Sequence, residues 1–184
     1  MLLQYETNRL VLKVLGPDYA KEVLSFYETD KELFERYEAD RCAQFYTESY
    51  QRNVLHAEYA LTLRMTQIRF YVFLKSDPSR IIGTVSLYDV STPFSRADIG
   101  YKFSSAYHHL GYASEAVEKL IDVAFMELSL HRICARVQPD NIPSIRLLHG
   151  LGFEKEGVCR DYLKIRGQWI DHLQYSLLAP ASHL

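Results

Sequence analysis

Between Ala113 and Leu128 apolar residues recur at 113, 116, 117, 120, 121, 124, 125 and 128, the steps of a helix that buries one face, with Val123 and Met126 besides. A strand-like run, Ile99–Phe103, precedes this helix and another, His131–Val137, follows it. The centre of the chain therefore reads strand, turn, helix, strand. The turn, Tyr107-His108-His109-Leu110-Gly111-Tyr112-Ala113-Ser114-Glu115, brings small residues to the point where strand gives way to helix. A helix start leaves N–H groups unpaired and its dipole favours negative charge, so a glycine-containing turn there suits phosphate or diphosphate. Neither Gly-Lys-Ser/Thr nor Gly-x-Gly-x-x-Gly spacing occurs, so the turn matches neither common nucleotide loop. A plain strand-to-helix connection is the competing reading of Gly111.

With 184 residues, 48% of them hydrophobic and 24% charged, the chain suits one globular domain spanning 1–184. The opening Met1-Leu2-Leu3-Gln4-Tyr5-Glu6 turns polar too soon for a secretory signal, and no apolar run approaches a membrane span. Cys42, Cys134 and Cys159 are odd in number and widely spaced, which reads as reduced, buried thiols in a cytoplasmic protein. No His-x-x-x-His or Cys-x-x-Cys pattern suggests a metal, and a net charge of −2 argues against nucleic acid as the main ligand.

Outside the centre, Arg9–Leu15 alternates as a strand stopped by Gly16-Pro17, after which Asp18 is placed to cap a helix to about Tyr27. A short helix over Asp30–Tyr37 and one capped by Thr47, over Glu48–Met65, follow. Ile68–Lys75 and Arg80–Val90 predict a hairpin. Asn141 is a good N-cap, with Pro143 in the first turn of a helix that ends at Gly150-Leu151-Gly152. Phe153–Lys164 and Trp169–Leu177 flank Arg166-Gly167 as a closing hairpin.

Several runs together resemble the GNAT acetyltransferase superfamily. They are Ile99-Gly100-Tyr101, Leu110-Gly111-Tyr112-Ala113-Ser114-Glu115-Ala116, Asn141-Ile142-Pro143-Ser144 and Leu151-Gly152-Phe153-Glu154. The tail through Asp161-Tyr162 and Gly167-Gln168-Trp169-Ile170-Asp171-His172, with the opening Thr7-Asn8-Arg9-Leu10, is similar to the RimJ/RimL branch, which acetylates N-terminal alanine or serine of ribosomal proteins. The resemblance implies an α/β (α+β) GNAT acyl-CoA N-acyltransferase fold, a twisted mixed central sheet flanked by helices. It implies acetyl-CoA as co-substrate, without a metal, in a notch where the strands at 97–103 and 131–137 splay. The pantetheine arm would pair with backbone at Tyr101, Lys102 and Phe103, and the diphosphate would rest on His108, His109, Leu110, Gly111, Tyr112, Ala113 and Ser114. Asn141 is expected to bond the pantetheine amide, to cap its helix, or to do both. Ser144 is the candidate proton donor to the departing thiolate, or else a helix-start residue. The tyrosine that many superfamily members place one turn further along is Leu148 here.

The implied reaction is direct transfer to an amine, with a backbone N–H near Phe103 facing the developing oxyanion. A chain N-terminus ionises near 7.7–8.0, against about 10.4 for lysine, so a weak base suffices to deprotonate it. Asp89, Asp161, Asp171 and His172 are the candidates. Between Asp18 and Asp40 eight acids face three bases, which suggests a surface that recruits a cationic acceptor such as a basic protein N-terminus, or simply a solvated helix face. A polyamine, amino sugar or antibiotic is the alternative acceptor, and a non-catalytic acyl-CoA sensor the alternative role. Pairing at a sheet edge would allow a homodimer.

Overall fold

Alternating apolar residues fold most of the chain into one twisted sheet, seen in a computed structural model that describes residues 1–180. The strands are β1 (Gln4–Glu6), β2 (Leu10–Lys13), β3 (Ile68–Leu74), β4 (Asp77–Ser91), β5 (Arg96–Phe103), β6 (Arg132–Val137), β7 (Glu154–Ile165) and β8 (Gln168–Leu178). Their spatial order is β1-β2-β3-β4-β5-β6-β8-β7. Every neighbouring pair is antiparallel except β5 and β6, which run parallel because a helix connects them. The helices are α1 (Ala20–Thr29), α2 (Lys31–Tyr37), α3 (Glu48–Leu63), α4 (Tyr112–Asp122) and α5 (Ile142–Gly150). None among the described residues is long and apolar enough to cross a membrane.

Side chains alternate across the strands, so the sheet carries a core on each face. On one face α4 sets Ala116, Val117 and Leu120 against Phe70, Val85, Ile99 and Val137. On the other, α1, α2 and α3 set Val23, Phe26, Phe34 and Leu55 against Val11, Tyr71 and Phe73. The amphipathic period of α4 continues past its end, where the backbone widens into a π-helical turn, Val123–Glu127, that keeps Val123 and Ala124 buried.

Thr47 and Asn141 cap α3 and α5, accepting the backbone N–H of Tyr50 and Ser144. Asp18 does not cap α1. Pro17, with its fixed φ, starts a 3₁₀ turn (Pro17–Tyr19) that feeds directly into the helix, and no side chain bonds its first N–H groups. Strand β1, too short for its alternation to register, pairs with β2 at the sheet edge. The cysteines depart from a uniformly buried set: Cys134 is buried in β6 and Cys159 half-buried, while Cys42 is exposed on the loop between α2 and α3.

Candidate functional site

Strands β5 and β6 pair only at Arg96–Asp98 with Arg132–Cys134, and then part. Beyond that point β6 continues along β8, and β5 continues along β4 to Phe103, leaving a gap in the middle of the sheet. Ser104 N–H bonds the Ile82 carbonyl, 2.9 Å, in register with the β4–β5 ladder. Antiparallel ladders alternate, so the peptide groups of Tyr101 and Phe103 point away from β4 and into the gap. They form a strand edge with no neighbouring strand inside the sheet, suited to an extended amide-bearing chain. His108 Nε2 donates to the Phe103 carbonyl, 2.9 Å, and ties the following turn to this edge.

At the mouth of the gap lies the start of α4. Gly111 occupies its N-cap position with φ 78°, and no side chain accepts from the first N–H groups. His109, at φ 61°, shares the left-handed region that bends the turn. A cavity of about 640 Å³ joins this helix start to the gap. Tyr101, Lys102, Phe103, His108, His109, Gly111, Ala113, Ser114, Asn141 and Ser144 all line it. Leu110 and Tyr112 do not: the Leu110 side chain is exposed, and the Tyr112 ring lies under the Arg9 guanidinium at 4.4 Å. An uncapped helix start of this kind, continuous with an open strand edge, fits the diphosphate and pantetheine of coenzyme A.

Arg9, from the start of β2, holds the turn from outside. Its Nε donates to Glu115 Oε2, 2.6 Å, and its Nη1 to the Leu110 carbonyl, 2.9 Å. Glu115 also accepts from Thr7 Oγ1 and Arg9 N–H; burial raises its pKa, but these bonds outweigh that and leave it below the usual carboxylate value. The run Thr7–Leu10 is therefore part of the site's scaffold, over 100 residues from the turn it braces.

Asn141 caps α5 through its side-chain oxygen, 3.2 Å from Ser144 N, which leaves its amide group for the cavity it lines. Ser144 Oγ lies 2.8 Å from the Tyr101 hydroxyl. Burial pushes the Tyr101 pKa up to about 12, against the opposing bond from Ser144, so the phenol stays protonated. Sequence reading assigned Tyr101 only a backbone role. Strand alternation, which turns Ile99, Tyr101 and Phe103 to the α4–α5 face, is the signal that could have found its side chain. Leu148, at the position of the superfamily tyrosine, is buried in the core.

The opposite mouth of the gap faces α2. There Lys102 pairs with Glu38, which also receives Arg41 Nη2 at 2.5 Å. Burial opposes charge on Glu38, yet the two cations hold its carboxyl below the usual range. Glu35 accepts from the Tyr46 hydroxyl, Asp30 from Ser105 N–H, and Asp40 from Arg166 and Gly167 N–H. Much of the acidic segment thus ties α2 and its loops to the sheet instead of standing free, while Asp18, Glu22, Glu28 and Glu32 remain exposed. Asp89, Asp161 and Asp171 are also exposed and lie outside the large cavity, whereas His172 is buried and lines it.

The sequence matches the acetyltransferase (GNAT) domain family over residues 9–154. The chain belongs to the GNAT acetyltransferase family. Similarity of this GNAT acetyltransferase to known proteins extends over nearly its whole length. The uncharacterized N-acetyltransferase p20 of Bacillus licheniformis is 38% identical over 172 residues, 94% of each chain. The ribosomal-protein-S5-alanine acetyltransferase of Vibrio fischeri superposes with a TM-score of 0.91 at 29% identity, covering 98% of both chains. RimJ of Mycobacterium smegmatis, solved in complex with CoA-disulfide, gives a TM-score of 0.86 at 25% identity over 92% of this chain and 82% of that one. The two structural likenesses are to enzymes of the RimJ/RimL type, as the tail from Leu151 to His172 suggested.

Proposed function

We propose that this protein moves the acetyl group of acetyl-CoA onto the N-terminal α-amino group of a protein chain, of the ribosomal-protein kind. The reading rests on one observation above all: the β5–β6 gap opens onto an uncapped helix start on one side and onto a mouth beside α2, lined by Phe34, Tyr37 and Glu38, on the other. Similarity to an S5-alanine acetyltransferase along 98% of the chain supports the choice of acceptor. Such a role suits a cytoplasmic protein.

When bound, acetyl-CoA supplies a thioester carbonyl for attack by an amine. The chain's own residues divide the remaining work. Peptide groups of Tyr101 and Phe103 hold an extended arm at the open strand edge, and the N–H groups from Gly111 to Ser114 hold phosphate oxygens. Ser144 gives its hydroxyl proton to the leaving sulfur, with the Tyr101 phenol 2.8 Å behind it to keep that proton oriented. Neither Cys134 nor Cys159 has a place in direct transfer.

The test is thiol release from acetyl-CoA with Ala-, Ser- and Met-starting basic peptides beside spermidine, with the product mapped by mass spectrometry. Acetylation of the peptide α-amine on Ala or Ser chains is expected. Turnover of spermidine alone would redirect the assignment to small amines. Tight acetyl-CoA binding without turnover on any amine would make the protein a sensor.

A further inference from the structure

We infer that His172 is the proton acceptor of the reaction, taking a proton through Nε2 from the acceptor's ammonium group at the α2-facing mouth of the β5–β6 gap. This inference rests on the transferase reading above and names the base that reading leaves open.

The geometry carries it in three steps. On β8, Leu173, Tyr175 and Leu177 pack toward the α4–α5 core, so alternation turns His172 to the opposite face. On β6 the same alternation sends Ala135 and Val137 to the core and Arg136 to the other face, beside His172. The gap separates a cofactor face, bearing Tyr101 and Ser144, from the face where Arg136 and His172 stand, and all four line one cavity. A thioester held in the gap is thus open to an amine from the face opposite the Tyr101–Ser144 pair.

The second step is the tautomer. His172 Nδ1 lies 3.1 Å from the Ile170 carbonyl, which can only accept, so Nδ1 carries the hydrogen. Nε2 then holds a lone pair, and among the described residues it makes no hydrogen bond. The third step is the ring's surroundings, from every packed element. Arg136 on β6, itself paired with Asp98 of β5, opposes a second positive charge. Tyr162 of β7 lies 5.1 Å from the ring, and Tyr88 of β4 lines the same cavity. Asp171 favours the cation but is exposed, its carboxylate accepting from Asp161 N–H at 2.8 Å. Burial, more than Arg136, lowers the imidazole pKa, so the ring is neutral at neutral pH.

In the step itself one ammonium N–H bond breaks. Its electron pair stays on nitrogen as the nucleophilic lone pair, and the proton becomes Nε2–H of an imidazolium. After attack the nitrogen loses a second proton, which replaces the one that Ser144 gives to the sulfur, so the overall transfer releases one proton, and His172 passes it to solvent. A protein α-amine with a pKa near 8 is within reach of such a weak base.

The experiment has two arms. In the free protein, nitrogen-resolved NMR of the histidine rings is expected to find His172 as the Nδ1–H tautomer, titrating below 6.5. An Nε2–H tautomer, or a ring still mostly protonated above neutral pH, overturns the role. In the second arm, H172Q is compared with the wild type on an Ala-starting peptide from pH 6 to 10. A loss in kcat/KM of about tenfold is expected near pH 7, the reciprocal of the neutral fraction of an amine with pKa near 8, closing as pH passes the amine's own pKa, because the nucleophile then needs no base. Acetyl-CoA affinity by calorimetry should stay unchanged. A deficit constant with pH marks a structural role, and activity within twofold of wild type removes His172 from the chemistry. Absence of wild-type turnover would sink the transferase reading and this role with it; an active wild type with an indifferent variant sinks only the role.

Discussion

Gly111 sits at φ 78° with Arg9 Nη2 3.3 Å from where a Cβ would be. A valine there meets both obstacles, since a β-branched residue resists the left-handed region at a cost of ~1–3 kcal/mol. Gly111→Val is expected to weaken coenzyme A binding by more than about tenfold in calorimetry, and unchanged binding would count against the phosphate cradle. Ser144→Ala should lower kcat more than KM, and Tyr101→Phe should lower kcat less, because the phenol acts through Ser144. Steady-state kinetics on both variants separate this from a purely structural role at the helix start, in which kcat would stay unchanged. At this scale sequence was a partial guide. Ser144, Asn141 and Gly111 were legible because each sits at a helix start, where residue type and position are linked. The Tyr101–Ser144 contact spans 43 residues and has no local signature.

Elements supply the tension that holds the site open. Gly83 on β4 is the clearest case: a Cβ there would lie 2.4 Å from Phe103 Cδ1 and 2.7 Å from the Lys102 carbonyl oxygen. Gly83→Ala must push β5 off β4 at the segment that lines the gap. A loss of about 2 kcal/mol in denaturant unfolding is expected, together with weaker acetyl-CoA binding. Arg9 plays the complementary part by fastening the α4 turn to β2. Arg9→Met keeps the stem over Tyr112 but leaves the Leu110 carbonyl and Glu115 without their charged partner, and a roughly tenfold rise in the coenzyme A dissociation constant is expected. The helices at 31–37, 48–63 and 142–150 follow their sequence signals closely. Asp18 fails as a cap because Pro17 starts a tighter turn first, a contest between two local preferences that residue counting cannot settle. The acidic helices illustrate the same limit: composition gave their charge, while their partners Lys102, Arg41, Tyr46 and the 166–167 turn come from elsewhere in the chain.

Over the whole molecule, carboxylates link distant parts of the sheet and make its stability depend on acid. Lys102 and Arg41, prevailing over burial, hold Glu38 low; Glu115 is held low by Thr7 and Arg9, and Glu127 by Tyr5 and the amino terminus. Arg132 brings Glu156 to about 2 from 4.5, joining β7 to β6 across β8. Each binds its proton less readily folded than unfolded, so its contribution is full above 4.5 and is lost as pH falls through the lowered folded value. Denaturant midpoints should therefore fall between about pH 5 and pH 2, and Arg132→Met should flatten the lowest part of that decline. The sequence by itself determined the strand and helix periods, the capped helix starts, the turn at Gly111 and the family. These are properties of neighbours along the chain, where dihedral preference and apolar spacing act directly. Tertiary structure alone decided the point, after Asp98, at which β5 and β6 part, that Tyr101 meets Ser144, and that His172 shares their cavity. Those arrangements arise where two cores pull on opposite faces of one twisted sheet, a force no short window of residues contains.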